Sequence, residues 1–268
     1  MSDVIIHPTA IVDSAATLGT GVEVGPYCTI GADIVLGART KLISHVTLTG
    51  RTEIGEDCLL YPQVSMGHPP QDFKHQGRRE ISIVIGDRCT FREMVNVHPG
   101  TDVGKPTTRI GDDCYFMVGS HVAHECQLGS HVTLSNYAQL GGNVSVGDYV
   151  ILGGMSAVHQ HTRIGSHAFV AGMAFVTNDV IPYGFVVGNT AHLQGLNVVG
   201  LKRRGFDKTQ IHKLRAAYRQ LFAYEGTLSE RIQDALRLYS DEPLVMEIIN
   251  FIQSQSNGRN LTLPETRR

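Results

Sequence analysis

Thirteen histidines stand in a chain of 268 residues. Four of them, His121, His124, His159 and His161, are candidates for a general base or a metal set. Glu125 follows His124 directly, and a carboxylate bonded to Nδ1 would orient the imidazole and leave Nε2 as the base. No nucleophile competes with this pair. Ser120 lies nearby in sequence but carries no elbow motif. The five cysteines, Cys28, Cys58, Cys89, Cys114 and Cys126, show no C-x-x-C spacing, and their odd number argues against a closed disulfide framework. These residues favour direct group transfer without a covalent enzyme intermediate.

Such a base needs elements that hold it against distant residues, and the sequence supplies a repeat. Apolar residues occupy every sixth position from Ile6 to Met66, from Ile85 to Val97 and from Ile110 to Val176. Half of these anchors are followed by glycine, which predicts a positive-φ corner there. A period of six fits neither an α-helix nor a long flat strand. It predicts short strands and corners winding into a three-faced parallel β-solenoid with about 18 residues per coil. The cysteines all fall four residues after an anchor, as small core fillers. Coil stacking then gathers His124, Gly142, Asn143, His159 and Gln160 along one edge.

Two polar stretches, 67–84 and 98–109, interrupt the repeat and are candidate binding excursions. From about Asn189 a helical period replaces it. Asp207 caps a segment ended by Gly226, Thr227 and Glu230 form a capping box, and Ser240 and Pro243 open a further helix. The expected organisation is a solenoid over 1–188 and a helical domain over 189–268, with the tail from Ser256 frayed.

A formal charge of −2 gives no overall footprint for nucleic acid, and no stretch is apolar enough to span a membrane. The N-terminus has no signal-peptide pattern, so a cytoplasmic protein is expected. Charge is local instead. Lys202, Arg203, Arg204, Lys208, Lys213, Arg215 and Arg219 are opposed by Asp207 alone, a run suited to an acidic partner.

The segments PPQDFK at 69–74, HVAHEC at 121–126, GGMSAVHQ at 153–160 and GLKRRGF at 200–206 resemble the UDP-N-acetylglucosamine O-acyltransferases of lipid A synthesis. These belong to the hexapeptide-repeat transferases, and the likeness covers nearly the whole chain. It implies a left-handed β-helix, a homotrimer, and transfer of a 3-hydroxyacyl chain to the glucosamine 3-hydroxyl. The donor would be carried on the phosphopantetheine of acyl carrier protein, with no bound cofactor or metal, and the carrier would dock on the basic run. By resemblance the base is His124, its acidic partner Glu125, and the oxyanion donor the Gly142 N–H. Gln71, Asp72 and Lys74 match residues holding sugar and hydroxyacyl chain; His98, His121, Asn143, His159 and Gln160 line the cleft; Asn197 and Arg203 meet the nucleotide. Gly172 matches a position that measures acyl length, glycine there permitting longer chains. Departures are Glu125 for the usual Asp, Asn143 for a histidine, Val199 for an acid and Pro99 for a basic residue. The alternatives are another hexapeptide-repeat acyltransferase, or a zinc carbonic anhydrase of the same fold, which needs three convergent histidines.

Overall fold

The computed structural model describes residues 3–77, 80–254 and 258–265. The chain winds into a left-handed parallel β-helix with three faces. Most strands are two residues long, an outward residue followed by a buried anchor, as in His121–Val122, Gln139–Leu140 and Ala157–Val158. The residue four after each anchor also points inward, so Val22, Cys28, Val46, Cys58 and Val64 are buried beside Val24, Ile30, Leu48 and Leu60. Two apolar side chains per six residues fill a prism too narrow for more, which is why the period is strict.

Positive φ does not fall on the glycines that follow the anchors, Gly67 with φ of 87° excepted. It falls three residues after the anchor, and mostly on larger residues, among them Asp57, Arg88, Glu125, Asn143, Met155 and Met173, with φ between 53° and 67°. Most of the anchor-following glycines are needed for a different reason. A Cβ on Gly25 would lie 1.8 Å from the Ile43 carbonyl oxygen of the next coil, and one on Gly37 would lie 2.4 Å from Gly55. Left-handed backbone costs roughly 1–2 kcal/mol at each such residue, and stacking of the equivalent side chains offsets it. Arg39 pairs with Asp57 and Arg88 with Asp113. Above them the His131, Tyr149 and His167 rings stack at 4.4 and 4.8 Å.

The second face runs through Ser65–Met66, Asn96–Val97, His121–Val122, Gln139–Leu140 and Ala157–Val158. The third includes Ser82–Ile85, Thr107–Ile110 and Gln127–Leu128. Both excursions therefore end earlier than their composition predicts, at 81 and 106, because each third-face strand begins before its anchor. Both leave from the corner between these two faces. Ser65 still pairs with Asn96, and Asn96 with His121, so the ladder is unbroken beneath them. His124 occupies that corner in the next coil.

Residue 189 is not the start of the helical part. Gly184–Val187 and His192–Leu196 form an antiparallel pair that extends the first face, and helix α1 (Val198–Arg203) follows, capped by Asn197. Helix α2 (Lys208–Leu221) carries the expected Asp207 cap but stops before Gly226. Helix α3 (Leu228–Tyr239) begins with the Thr227–Glu230 capping box. Helix α4 (Pro243–Gln253) has Glu242 at its N-cap, while Ser240 closes α3. Among the described residues, no helix is long and apolar enough to cross a membrane.

The described part of the tail is docked, contrary to the fraying its composition suggests. Asp179 N–H donates to the Asn260 carbonyl and Thr262 N–H to that of Asp179, both at 2.8 Å. Leu193 N–H donates to the Leu263 carbonyl at 2.9 Å. The buried Asp179 carboxylate also takes the Arg163 side chain at 2.7 Å, and Arg163 reaches Ser254 and Phe251 at the end of α4. This shared socket ties solenoid, last helix and tail together. Expected tail residues 256, 257 and 266–268 lie outside the described residues.

Candidate active site

His124, Gly142 and Gln160 occupy equivalent positions in three successive coils at the corner between the second and third faces. Beside them run Glu125, Asn143 and His161, all left-handed, with φ of 67°, 58° and 65°. The His124 ring lies over Gly142 so closely that a Cβ there would be 2.3 Å from Cε1 and 2.5 Å from Nε2. Glycine is required here by that approach. Among the described residues the Gly142 N–H has no hydrogen-bond acceptor, so it is available to a ligand.

Glu125 stands behind the base, but its carboxylate does not make the hydrogen bond that sequence adjacency suggests. Oε1 is 3.6 Å from His124 Nδ1, an ion-pair distance rather than a hydrogen bond. That oxygen accepts instead from the Thr101 hydroxyl, and the Glu125 N–H donates to Thr108 Oγ1 at 2.8 Å. The second excursion closes over the group, with Gly104 packed against the carboxylate. Burial pushes the Glu125 carboxyl up, but His124, Thr101 and the Lys105 backbone outweigh this and hold it below the usual value. It is an anion in a nearly dry place, only 6% exposed.

Two adjoining clefts, each about 470 Å³, open on either side of His124. One runs over the second face past His121, Gln139, Gly142, Ala157 and His159. The other lies under the first excursion, lined by Asp72, Phe73, Lys74, Glu125 and Asn143. Gln71 and Gln160 border both. The excursions brace each other. Asp102 of the second bonds His75 Nδ1 at 3.0 Å and the Gln76 N–H at 3.1 Å in the first. Asp72 caps the Lys74 N–H, and Lys105 donates to Asn143 Oδ1 at 3.1 Å.

His98 is buried and sits edge-on to His121, ring centroids 5.1 Å apart. Burial, reinforced by His121, His124 and His68, lowers its pKa to about 4, so it is neutral at pH 7. Burial also lowers that of His121. Ser120 and Cys126 point into the core, and burial pushes the Cys126 thiol up to about 12. Neither is placed to attack a substrate. Among the described residues no three His, Cys, Asp or Glu side chains converge as metal ligands.

Several expected residues lie elsewhere on the chain. Asn197 and Arg203 border a pocket on the first face with Ile151, Phe169 and Phe185. The Asn197 amide is already engaged, accepting from the Gly200 N–H and donating to the His167 carbonyl. Gly172 sits at the corner between the first and second faces, beside Gly154. The basic run is also less uniform than its sequence. Arg204 is half-buried and donates to the Tyr149 carbonyl at 2.7 Å, and Lys213 is paired with Glu242. Lys202, Arg203, Lys208, Arg215 and Arg219 remain exposed.

Thr101, Lys105 and Thr108 escaped the sequence reading, although their place in or beside an excursion next to His124 was a usable signal. Arg259 also reaches this site and had none.

Comparison with known proteins follows the same outline. Residues 179–261 match the family model described as UDP-N-acetylglucosamine O-acyltransferase, domain 2. The acyl-[acyl-carrier-protein]–UDP-N-acetylglucosamine O-acyltransferase of Caulobacter vibrioides is 51% identical over 97% of this chain and 98% of that protein. The protein of that name from Rhizobium johnstonii is 44% identical over 97% and 94%. The structure of Francisella novicida UDP-N-acetylglucosamine acyltransferase superimposes with a TM-score of 0.94, at 31% identity, over 98% of this chain and 95% of that one. With 51% identity over nearly the whole length of both proteins, this chain belongs to the acyl-[acyl-carrier-protein]–UDP-N-acetylglucosamine O-acyltransferase family.

Proposed function

We propose that the His124 cleft transfers a 3-hydroxyacyl chain from acyl carrier protein to the glucosamine 3-hydroxyl of UDP-N-acetylglucosamine, the first step of lipid A synthesis. The observation that carries this is the His124 ring packed against Gly142, whose N–H is free, with the Glu125 anion 3.6 Å behind the ring. His124 Nε2 removes the hydroxyl proton as the oxygen attacks the thioester carbonyl. The resulting oxyanion is held by Gly142 N–H. Collapse breaks the C–S bond, and the departing thiolate takes the proton back from the imidazolium. Glu125 stabilises that transient cation across a short, water-poor gap, and Thr101 keeps the carboxylate in place. General-base catalysis of this kind contributes about 10²–10⁴-fold, and one oxyanion donor about 10²–10³-fold.

Gln71, Asp72 and Lys74 hold the sugar under the first excursion, with Asn143 and Gln160 on its other side. Asn197 and Arg203 are too far round the prism to join the same chain's His124. They support a homotrimer, in which a neighbour completes each cleft. The exposed edge formed by Met94, Tyr137, Met155 and Met173 suits such packing, each residue being 46–71% exposed in the single chain. The five reduced, buried cysteines fit a cytoplasmic location, where the carrier and nucleotide sugar would meet. The test is a transfer assay with UDP-N-acetylglucosamine and a panel of 3-hydroxyacyl carrier proteins. Formation of the 3-O-acylated sugar nucleotide is expected; no product with any donor would refute the assignment.

Acyl carrier protein docks on the exposed basic residues. Lys208, Arg215 and Arg219 fall on one stripe of α2, because their spacings of seven and eleven approximate whole turns. Arg215→Glu is expected to raise the carrier KM about tenfold and flatten its salt dependence. Unchanged KM across a salt series would remove this stripe from the docking surface. Lys213 is the wrong probe, because its partner is Glu242.

A further inference from the structure

Among the described residues, the C-terminal segment reaches the wall of the cleft through the Arg259 side chain. Arg259 donates from Nε to the Gln160 carbonyl at 2.9 Å, and from its terminal nitrogen to His159 Nδ1. His159 and Gln160 both line the cleft beside His124. Arg259 lies a hundred residues away in sequence from His159, and it is aimed by the docked tail: Asn260 and Thr262 bond the buried Asp179, which Arg163 holds from the other side.

A guanidinium has donors and no acceptor. Nδ1 of His159 must therefore accept in this contact, which leaves the ring proton on Nε2. The Gln160 carbonyl, 3.3 Å from Nδ1, would otherwise draw that proton to Nδ1 and select the opposite tautomer. Arg259 occupies the carbonyl with one nitrogen and fills Nδ1 with another.

We propose that Arg259 is a positioning residue that fixes His159 as an Nε2–H donor facing the cleft, where it holds an oxygen of the bound sugar nucleotide or acyl group. This assignment rests on the acyl-transfer reading for its kinetic consequence and on geometry alone for the tautomer. Gly258 precedes Arg259 with φ of 87°, a turn that brings the arginine back toward the solenoid.

The experiment is a double-mutant cycle with a spectroscopic arm. Arg259→Ala is expected to lower kcat/KM for the sugar nucleotide about tenfold, the size of one lost oriented hydrogen bond. Added to a His159→Ala enzyme, the same change is expected to cost nothing further. Arg259→Lys, with one donor site in place of a fork, should recover only part of the loss. Additive losses in the cycle, or no loss from Arg259→Ala alone, would overturn the proposal. Ring ¹⁵N shifts of His159 provide the arm independent of turnover. The wild type should show a bare Nδ1 and a protonated Nε2, and Arg259→Ala a shift toward Nδ1–H. An Nδ1–H ring in the wild type, or an unchanged spectrum in the variant, overturns the tautomer assignment whether or not the enzyme transfers acyl groups.

Discussion

His124→Ala is expected to cut acyl transfer by about 10²–10⁴-fold while leaving assembly and thermal stability close to wild type. The side chain is only 16% exposed, yet it lies in the cleft wall rather than the prism core, and its Nδ1 makes no hydrogen bond that folding depends on. Turnover with a saturating donor, light scattering and thermal unfolding on the same preparation check both halves of the expectation. Glu125→Gln should be milder, because the amide can retain Thr101 while losing the charge that stabilises the imidazolium. A folded His124→Ala protein with near-native turnover would remove the base from the mechanism.

Gly172→Met is expected to move the preferred donor to a shorter acyl chain with little loss of rate on that donor. From His124 the second face leads across Gln139 and Ala157 toward Gly154 and Gly172 at its far corner. A Cβ on Gly172 has its closest contact at 3.2 Å, to the Gly154 carbonyl oxygen, and the backbone there is not left-handed. Methionine can thus be carried without unfolding the corner, its Cβ meeting only the Gly154 backbone. Each excluded methylene forfeits about 0.8 kcal/mol of apolar burial, so blocking about four should change selectivity by about 10²-fold. Competition between donors of different length gives that ratio directly. Met173 is 71% exposed on the same corner. If Gly172→Met leaves the profile unchanged and Met173→Ala lengthens it, the ruler is the neighbouring side chain.

The six-residue period makes the solenoid, its inward cysteines and the stacking of His124 with Gly142 and Gln160 legible without coordinates. The same constraint is imposed at every coil, so no single error can hide it. The period also located both excursions, though not their ends, because a third-face strand can begin before its anchor without changing the apolar pattern. Glycine misled in an instructive way. Its positions are visible, but close approach of the neighbouring coil, rather than positive φ, is what demands most of those that follow anchors, and the φ > 0 corners are carried mainly by larger residues such as Glu125 and Asn143.

What the sequence determined by itself is what repeats or is local: the prism, the helix caps at Asp207 and Thr227, and the edge on which the base stands. Tertiary structure alone decided which groups meet across long separations. It turned Glu125 toward Thr101, paired Lys213 with Glu242, set Arg203 beside the first face, and brought Arg259 onto His159. Each of these depends on how segments of unrelated pattern are brought together. A side chain's chemistry states what it can bond, but only the folded backbone sets which partner lies within reach.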